Sequence, residues 1–516
     1  MTAVDATPLQ PRVTEEVAIV GMACLFPGAP DLQTYWQNIL GKVSAIGDPP
    51  PGWAHDDGGD SQGGEPSRLY CRRGGFLREL ASFDPLAYGV MPQSVDGAEP
   101  EHFLALRVAH EALADAGYVH RPFNRQKAGV ILGRGTFVNR GNVTALQHTL
   151  IIDQTLRLLK QLHPEYRDEE LRAIEAQLKA SLPPFNAETA PGLVPNVMCG
   201  RIANRLDLQG PNYAVDAACA SSLIAVDLGV RELLSDRCDL VLVGGVSVAS
   251  PPMMFQGFCE VGALSRRQQI RPFDAQADGT LLGEGIGIVV LKRRADAERD
   301  GDRIYAVIKG VGVASDGRAL AVLAPRLEGE ELALRRAYAA AGIPPHTVGL
   351  IEAHGTATPV GDLTEVQALR RAFGDRDGQH PRCALGSVKS MISHTIPAAG
   401  VAGLIKTALA LYHKTLPPTL NCETPNPKLE LEKTPFYINT ETRPWIHGAR
   451  TPRRAGVNAF GFGGINAHVI LEETQGVDAL TARSYHRPWG SEVVILQGDS
   501  RAELIAHAQQ LSRYLA

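Results

Sequence analysis

The sequence predicts an α/β fold, because apolar strand-like runs alternate along the chain with segments of helical periodicity. One run, residues 239–246, is apolar apart from its first residue and two glycines, which is typical of a strand covered by helices on both faces of a sheet. Strand-like runs that end in glycine or in a reactive side chain occur in both halves of the chain. The halves match in pattern and not in residue identity, and we predict two similar α/β halves.

Apolar spacing and the residues that begin or end each segment predict the individual elements. Buried strands are predicted where short aliphatic runs stop at glycine or a polar residue: 17–20, 129–133, 239–246, 283–291, 303–313, 348–353 and 384–388. Helices are predicted where apolar residues recur every three or four positions: 31–40, 100–116, 328–342 and 398–413. Residues 455–472 are predicted to form a hairpin around a glycine-rich turn.

Two regions depart from this alternation. Residues 44–75 are rich in glycine, proline, aspartate and serine, which predicts a surface loop. Residues 142–181 form a predicted helical insertion, and one side of it carries the apolar residues Ile152, Leu156 and Leu159. Such an insertion packs across a dimer contact or a substrate channel, or it stands in solvent as an excursion.

The expected organisation has four parts. They are a flexible N-terminus at 1–15, a first half at 16–275, a second half at 276–474, and a linker at 475–516 that begins a further unit. In the last part we predict a strand at 492–496 and a helix at 500–515, with the further unit cut at Ala516.

Composition narrows the class of protein. The 516 residues are 44% hydrophobic and 21% charged, as in soluble globular proteins. The net charge of −5 disfavours a nucleic-acid binder. No apolar run reaches the ~18 residues that span a bilayer, and residues 1–15 lack the apolar stretch of a signal peptide. None of the eight cysteines forms a C-x-x-C pair, so we expect no zinc site, no disulfide framework and a cytoplasmic location.

Cys219 is the first candidate for chemistry. It lies in Asp-Ala-Ala-Cys-Ala-Ser-Ser, between an extended run and an amphipathic helix, so it is predicted to sit at a strand-to-helix turn. Unpaired N–H groups at the helix N-terminus favour an anion, which predicts a lowered thiol pKa. A tight turn of this kind presents a nucleophile to an acyl group. The alternative is a buried structural cysteine, since free cysteine packs as a small hydrophobe.

Three polar residues follow strands in the second half of the chain. His354 comes after the run at 348–353, and Lys389 and His394 come after the run at 384–388. Ligands of α/β sheets bind outside the carboxyl ends of the strands, so these residues are expected to converge with Cys219. A cysteine protease would use one histidine with an Asn or Asp, and the histidines lack metal-ligand spacing. We therefore expect no metal.

Two histidines suit a carbanion reaction. If an acyl chain is held on Cys219 as a thioester, loss of carbon dioxide from a malonyl group supplies an enolate that attacks it. Developing charge on the enolate oxygen requires hydrogen-bond donors, and the N–H groups of His354 and His394 would provide them. Lys389 would fix the protonation state of His394, although a lysine is more often a solvated charge.

The glycine-rich segment 461–464 is the second part of the expected site. The N–H of Phe462, with that of Cys219, would form an oxyanion hole, its ring would gate the pocket, and Gly463 would contact the substrate. The alternative is a glycine hairpin with Phe462 packed in the core. Thr356 and Thr358 would hydrogen-bond the amides of a pantetheine arm, or they pack within a strand.

Taken together, these segments resemble the β-ketoacyl synthases of the thiolase superfamily. The resemblance rests on the Asp-Ala-Ala-Cys219-Ala-Ser-Ser, His354-Gly-Thr-Ala-Thr and Lys389 to His394 segments in this order, and it runs from about residue 17 to 473. The opening Val-Ala-Ile-Val-Gly-Met-Ala and the segment at 271–280 are typical of type I polyketide synthases. The tail from residue 488 resembles the linker between such a domain and an acyltransferase.

The resemblance implies a fold, roles and partners. The fold is αβαβα in layers, from two pseudo-repeated halves, in a homodimer. Cys219 would accept the acyl chain, and His354 and His394 would support decarboxylation. Lys389 would tune His394, and Phe462 would gate the pocket. Malonyl and acyl thioesters would arrive on the phosphopantetheine arm of an acyl carrier protein, which acts with the acyltransferase of the same synthase. No directly bound cofactor, nucleic acid or membrane is implied.

The segment around His394 departs from the usual pattern. The family has glycine before this histidine and glutamate two residues after it, where this chain has Ser393 and Ile396. The segment 393–400, with the insertion at 142–181, is similar to iterative synthases that make enediyne polyenes and, more distantly, to polyunsaturated fatty acid synthases.

Three other functions compete with this interpretation. A non-catalytic partner like the chain-length factors lacks the nucleophilic cysteine, and a decarboxylating starter domain carries glutamine in its place. A degradative thiolase uses a second cysteine near its C-terminal glycine segment, and residues 458–468 contain none. The presence of Cys219 and the absence of a second cysteine at 458–468 therefore favour a condensing enzyme.

Overall fold

Eleven strands in the described part of the chain form one mixed sheet. The computed structural model describes residues 16–53, 69–135, 139–318, 321–378, 381–448, 451–474 and 494–515. The strands are β1 (Val17–Leu25), β2 (Ala128–Arg134), β3 (Asn212–Val215), β4 (Leu240–Ser247), β5 (Gly285–Arg293), β6 (Ala306–Ser315), β7 (Leu350–Glu352), β8 (Cys383–Gly386), β9 (Phe436–Ile438), β10 (Arg454–Gly461) and β11 (Ile465–Glu472). Their order is β9-β8-β7-β10-β11-β6-β1-β5-β4-β2-β3.

The strand order shows a duplicated topology that residue identities do not reveal. Outward from the centre, the first half runs β1-β5-β4-β2-β3 and the second runs β6-β11-β10-β7-β8, so corresponding strands occupy corresponding places. The directions also agree, because the two inner pairings of each half are antiparallel and the two outer ones are parallel. The halves join through an antiparallel pairing of β1 with β6, and β9 extends the second half. The prediction of two similar α/β halves is confirmed.

Helices lie between and outside the two half-sheets. They are α1 (Leu32–Leu40), α2 (Pro100–Asp115), α3 (Arg140–Leu146), α4 (Ile152–Leu162), α5 (Asp168–Ala180), α6 (Val197–Leu206), α7 (Ser221–Leu234), α8 (Pro252–Glu260), α9 (Arg294–Arg299), α10 (Leu327–Ala341), α11 (Pro359–Phe373), α12 (Lys389–Ile392), α13 (Ala399–Tyr412) and α14 (Arg501–Leu515). Helices α7 and α13 touch each other and both half-sheets, whereas α2 and α6 cover one outer face and α10 and α11 the other. The layers are therefore αβαβα.

Helix α13 shows how the sequence determines the middle layer. Thirteen of its residues, 399–411, are buried, and a helix that is apolar around its whole circumference has to be enclosed on all sides. Its one charged residue, Lys406, pairs with Glu352 at 2.5 Å, and both side chains are at most 3% exposed. Because an unpaired buried charge is very costly, this pair holds α13 against the end of β7, directly before His354.

Two expectations differ from the structure, and others lie outside the described residues. The topological repeat places the boundary between the halves between Arg293 and Ala306, later than the expected 275/276, because β5 completes the first half. Residues 494–496 of the strand expected at 492–496 are irregular, and 492–493 lie outside the described residues. The flexible N-terminus at 1–15, residues 54–68 of the predicted loop and residues 475–493 of the linker also lie outside them.

The helical insertion is present as a series of helices. Residues 147–151 form a π-helical turn that joins α3 to α4, and α5 follows after a short loop. Ile152 is buried, while Leu158 and Leu162 are 54% and 65% exposed. Among the described residues, no helix is both long and apolar enough to cross a lipid bilayer.

Candidate functional site

Cys219 lies in a tight turn between β3 and α7, as the sequence predicts. A 3₁₀ turn, Ala218–Ala220, holds it immediately before the first residue of α7. Ala218 adopts φ 48°, a conformation that L-residues rarely populate. The Ser221 hydroxyl accepts from the Ala217 N–H at 2.8 Å and donates to the Ala218 carbonyl at 2.6 Å, which braces the turn. The chain thus bends sharply at the cysteine.

Cys219, His354 and His394 converge at one end of a cavity. One ligand atom from each, the cysteine sulfur and a ring nitrogen of each histidine, lies within 4.8 Å of the others. The two imidazole rings are nearly perpendicular, with centroids 5.4 Å apart and an angle of 86°. All three residues line a cavity of about 740 Å³ that includes its open mouth. The expected convergence of the three strand ends is therefore observed.

The backbone around His394 determines which ring nitrogen carries the proton. Its N–H donates to the Leu281 carbonyl at 2.8 Å, and its own carbonyl accepts from the Gly283 N–H at 2.9 Å. The Ile396 N–H donates to Nδ1 at 3.2 Å, so Nδ1 is an acceptor. The neutral ring therefore has its proton on Nε2, available to a ligand.

His354 is positioned by a buried carboxylate. Glu365 on α11 accepts from the His354 N–H at 2.7 Å and from the Gly355 N–H at 2.8 Å. The Asn458 amide also donates to Glu365 at 2.8 Å, which ties β10 to the same point. In the described part of the chain, Nδ1 of His354 has no hydrogen-bond partner.

Both histidines are held neutral. Burial lowers the pKa of His354 and of His394 well below the usual range, and the positive charge of Lys389 lowers both further. Burial also lowers the pKa of Lys389, while the carboxylates of Glu352 and Glu365 favour its charged form. Each imidazole therefore keeps one N–H donor and one acceptor nitrogen near neutral pH.

The expected lowering of the Cys219 pKa is wrong for this structure. Burial raises the pKa of the thiol to about 11, against the opposing effects of Lys389 and of a hydrogen bond from the Phe462 N–H. The side chain is 4% exposed, so little water reaches the sulfur to solvate its charge. The effect of desolvation on the thiol pKa is thus larger than the stabilisation of the thiolate expected from the helix N-terminus.

This pKa predicts how the free enzyme responds to pH. Between pH 7 and 10, alkylation of Cys219 by iodoacetamide should accelerate about tenfold per pH unit, because only the thiolate reacts. Lys389→Met should slow the reaction at each pH, because a positive charge that stabilises the thiolate is removed. Peptide mapping by mass spectrometry measures the rate at this cysteine. A pH-independent rate above pH 8 would contradict the raised pKa.

Phe462 and its glycine-rich turn form one wall of the cavity. The Phe462 N–H faces the Cys219 sulfur and favours the thiolate form of that cysteine. Its ring stacks on Phe258 with centroids 5.7 Å apart and is 41% exposed, so it is not packed in the core. The cavity is lined by Gly461, Phe462 and Gly464, but not by Gly463, contrary to expectation.

Thr356 and Thr358 both line the cavity, and their hydroxyl oxygens are 3.0 Å apart. Ala357 between them adopts φ 62°, and its N–H donates to Asp362 at 3.0 Å. The backbone turn puts the two hydroxyl groups on the same side, available to a polar ligand. The alternative of packing within a strand is not observed, because β7 ends at Glu352 and residues 353–358 are irregular.

The sequence analysis did not predict one wall of the cavity, which carries both polar and apolar side chains. It is lined by Asp316, Glu330, Asn466, Phe460 and residues 322–325. The available signal was Asp316-Gly317 directly after a strand, a pair typical of turns. Nothing in the spacing of Glu330 on α10 distinguishes it from a solvated helix residue.

Ser393 and Ile396 adopt strained conformations on either side of His394. Ser393 has φ 66° and ψ −178°, in a region that is essentially restricted to glycine. Its hydroxyl is buried and has no hydrogen-bond partner among the described residues. Ile396 is fully buried at φ 48°, which is unfavourable for a β-branched side chain. The departure from glycine at position 393 therefore has a conformational cost.

Ser393→Gly should stabilise the protein by about 1 kcal/mol, because glycine relieves the backbone strain and removes the buried hydroxyl. The gain should appear in the urea concentration at the unfolding midpoint. Ser390→Gly is the matched control, since the Ser390 hydroxyl donates to Ser387 and accepts from the Leu420 N–H, and this variant should lose stability. If Ser393→Gly lowers the stability of the protein, the backbone at residue 393 is not strained.

One cysteine and two histidines are also donors that a zinc ion uses. Among the described residues, they are the only group of three such atoms that converge. Structural zinc sites have four protein ligands, and catalytic ones have three with an open position. The geometry alone therefore fits either a catalytic zinc or a metal-free acyl-transfer site.

Family models match nearly the whole described chain. The β-ketoacyl synthase N-terminal domain matches residues 14–297, its C-terminal domain matches 305–423, and the ketoacyl-synthetase C-terminal extension matches 425–515. The first two ranges meet close to the boundary between the topological halves.

Curated relatives are much longer than this chain. One subunit of a polyunsaturated fatty acid synthase from Thraustochytrium is 37% identical over 503 residues, which are 95% of this chain and 17% of the relative. Polyketide synthase PksL from Bacillus subtilis is 35% identical over 98% of this chain and 10% of the relative. The chain thus spans between a tenth and a sixth of these two proteins.

Solved structures share the fold. The ketosynthase from module 6 of the bacillaene synthase of Bacillus subtilis superposes with a TM-score of 0.75 at 34% identity, covering 97% of this chain and 77% of that one. An oxazolomycin ketosynthase domain from Streptomyces albus gives 0.75 at 31% identity, with 89% and 74% covered. With its duplicated αβαβα layers and matching family models, the chain belongs to the β-ketoacyl synthase family, the condensing enzymes of polyketide and related synthases.

Proposed function

We propose that this chain catalyses decarboxylative Claisen condensation of a malonyl thioester with an acyl chain held on Cys219. The observation that carries the proposal is the convergence of the cysteine sulfur with two neutral imidazoles, all within 4.8 Å. A thiol alone would support acyl transfer. Two neutral N–H donors beside it suit a reaction in which negative charge develops on a substrate oxygen.

In the first half-reaction, the Cys219 sulfur attacks the carbonyl carbon of an acyl thioester. The tetrahedral oxyanion is stabilised by the N–H groups of Cys219 and Phe462, and the carrier thiol leaves. The thiol proton passes to the departing sulfur, so atoms and charge balance. Lys389 favours the thiolate through its positive charge.

In the second half-reaction, a malonyl thioester occupies the same cavity. Its carboxylate leaves as carbon dioxide, and the bonding electrons form an enolate whose oxygen accepts from the N–H groups of His354 and His394. The enolate carbon attacks the acyl carbon on Cys219, the sulfur leaves as a thiolate, and a 3-oxoacyl thioester remains on the carrier. The hydroxyl groups of Thr356 and Thr358 bind the amides of the pantetheine arm.

The substrates arrive on the phosphopantetheine arm of an acyl carrier protein, and an acyltransferase of the same synthase loads that carrier. The chain acts as a homodimer. Strand β3 (Asn212–Val215) supports this, because it ends the sheet, its four residues are half-buried, and an unpaired edge is a template for pairing with a second copy. All eight cysteines are free, which supports a reducing, cytoplasmic setting that keeps Cys219 reactive.

We further propose that the synthase is iterative and makes an enediyne polyene. The segment 393–400 and the helical insertion, present here as α3 to α5, support this assignment. The second candidate is a polyunsaturated fatty acid synthase, which the 37% identity to the Thraustochytrium protein favours. In an iterative synthase of the enediyne kind, one ketosynthase acts repeatedly and other domains reduce and dehydrate the chain.

The proposal is tested with acyl- and malonyl-loaded carrier protein. Mass spectrometry should detect a 3-oxoacyl carrier extended by two carbons, together with one carbon dioxide per product. The cognate carrier of the same synthase has to be used, since docking contributes to the rate. Acylation of Cys219 without any extended product, in folded protein, would refute the condensation.

A further inference from the structure

Glu330 is a buried carboxyl group in the cavity wall to which neither half-reaction assigns a role. It lies in the first turn of α10, is 2% exposed and lines the cavity that holds Cys219 and the two histidines. Its Oε2 atom is buried and has no hydrogen-bond partner in the described part of the chain. A buried polar atom without a partner is costly, unless a ligand supplies the partner.

The neighbouring acids do have partners. Asp316 accepts from the Asn466 amide at 2.6 Å, and Glu365 accepts from two backbone N–H groups and from the Asn458 amide. Burial raises the pKa of Glu330 well above the usual range, and the negative charges of Glu365 and Asp316 raise it further. Glu330 is therefore a neutral carboxylic acid, with an O–H group that can donate a hydrogen bond.

The packing of α10 keeps Glu330 in place. A Cβ atom on the preceding Gly329 would lie 1.9 Å from Oδ1 of Asp316 and 2.9 Å from Nδ2 of Asn466. The helix can approach this pair so closely only because residue 329 is glycine. The carboxyl group of Glu330 is therefore presented to the cavity by a rigid helix and not by a mobile loop.

We propose that Glu330 determines substrate binding by donating a hydrogen bond to an uncharged oxygen of the thioester substrate. This inference rests on the proposed function and identifies a contact within the same cavity. A carbonyl or hydroxyl oxygen accepts such a bond, whereas an anionic group would be repelled by Asp316 and Glu365. A cation site does not fit, because the oxygens of the three acids are not among the groups of metal-ligand atoms that converge in the described residues.

The test compares Glu330→Leu, which removes the donor, with Glu330→Gln, which retains an N–H donor of similar shape. With 3-hydroxyhexanoyl-pantetheine as substrate, which carries both kinds of oxygen, Glu330→Leu should raise KM for acylation of Cys219 about threefold to tenfold and change kcat less than about twofold. Glu330→Gln should restore KM to near the wild-type value. Glu328→Leu, an exposed change two residues away, is the matched control and should have no effect.

The source of the oxygen is identified by the substrate. An effect of equal size on hexanoyl- and 3-hydroxyhexanoyl-pantetheine assigns the contact to the carrier arm, and an effect on the hydroxylated chain alone assigns it to the acyl chain. Unchanged KM values for both substrates in Glu330→Leu would overturn the proposal. So would a Glu330→Gln variant as impaired as Glu330→Leu.

A second measurement is independent of acylation and of the stability of Glu330→Leu. Both proteins in this measurement carry Cys219→Ala, so that neither can be acylated. The infrared spectrum of the protein with Glu330 minus that of the protein with Glu330→Gln should show a protonated-carboxyl band. The band should shift when 3-hydroxyhexanoyl-pantetheine binds, since this ligand carries both kinds of oxygen. A band that does not shift on binding refutes the contact, whereas failure of the proposed condensation would leave this result unchanged.

Discussion

Cys219→Ala should abolish acyl transfer, with a loss of at least about 10⁴-fold in the rate of condensation. The variant lacks the nucleophile that forms the acyl thioester, and no other described thiol lines the cavity to replace it. The acyl adduct on peptides containing residue 219 should disappear. Peptide mapping after incubation with an acyl thioester measures the adduct, and carrier-bound product measures the rate.

Decarboxylation is the control for this variant. The histidines do not need the thiol to stabilise an enolate, so malonyl decarboxylation by Cys219→Ala should remain within about tenfold of wild type. Because alanine removes a sulfur that is 4% exposed, a small loss of stability is expected and should be checked by melting. An adduct that persists in Cys219→Ala would show that another residue is the nucleophile.

Replacing either His354 or His394 with alanine should slow malonyl decarboxylation by about 10² to 10³-fold, the usual cost of one lost donor to a developing oxyanion. The acyl adduct on Cys219 should still form in both variants, since the Cys219 and Phe462 N–H groups stabilise that step. Release of carbon dioxide from malonyl-loaded carrier measures the first effect, and peptide mapping measures the second.

Asparagine variants separate donation of a hydrogen bond from loss of the side chain. His354→Asn and His394→Asn retain an N–H donor and should recover part of the rate lost in the alanine variants. Because burial and Lys389 keep both imidazoles neutral, the wild-type decarboxylation rate should not fall as pH rises through 6.5, where an ordinary histidine loses its proton. A fall in that range would contradict the neutral assignment.

Metal removal tests the alternative use of the same three side chains. The decarboxylation rate of wild-type protein should be unchanged after dialysis against a chelator, because the donors invoked are N–H groups. A rate that falls on chelation and returns with zinc would replace the proposed roles of His354 and His394 with metal ligation.

The sequence by itself determined the alternation of strands and helices and the members of the reactive cluster. Aliphatic runs that end in glycine or a reactive residue are local signals, and residues such as His354 lie where strands of an α/β sheet bring ligands together. A helix that is apolar around its whole circumference, such as α13, has to be enclosed, but the layer that it occupies depends on the fold. The boundary between the two halves was predicted less well. Strand β5 belongs to the first half because it pairs with β1, which is distant in sequence.

Only the tertiary structure decided the electrostatics and the second wall of the cavity. The thiol pKa of Cys219 depends on how far water is excluded, and enclosure by elements distant in sequence reversed the local effect of the helix N-terminus. Glu330 became a candidate ligand-binding group because folding buries it in the cavity wall together with Asp316 and Glu365. Sequence spacing fixes which side chains reach a strand end, whereas desolvation and pairing depend on contacts that only the folded chain provides.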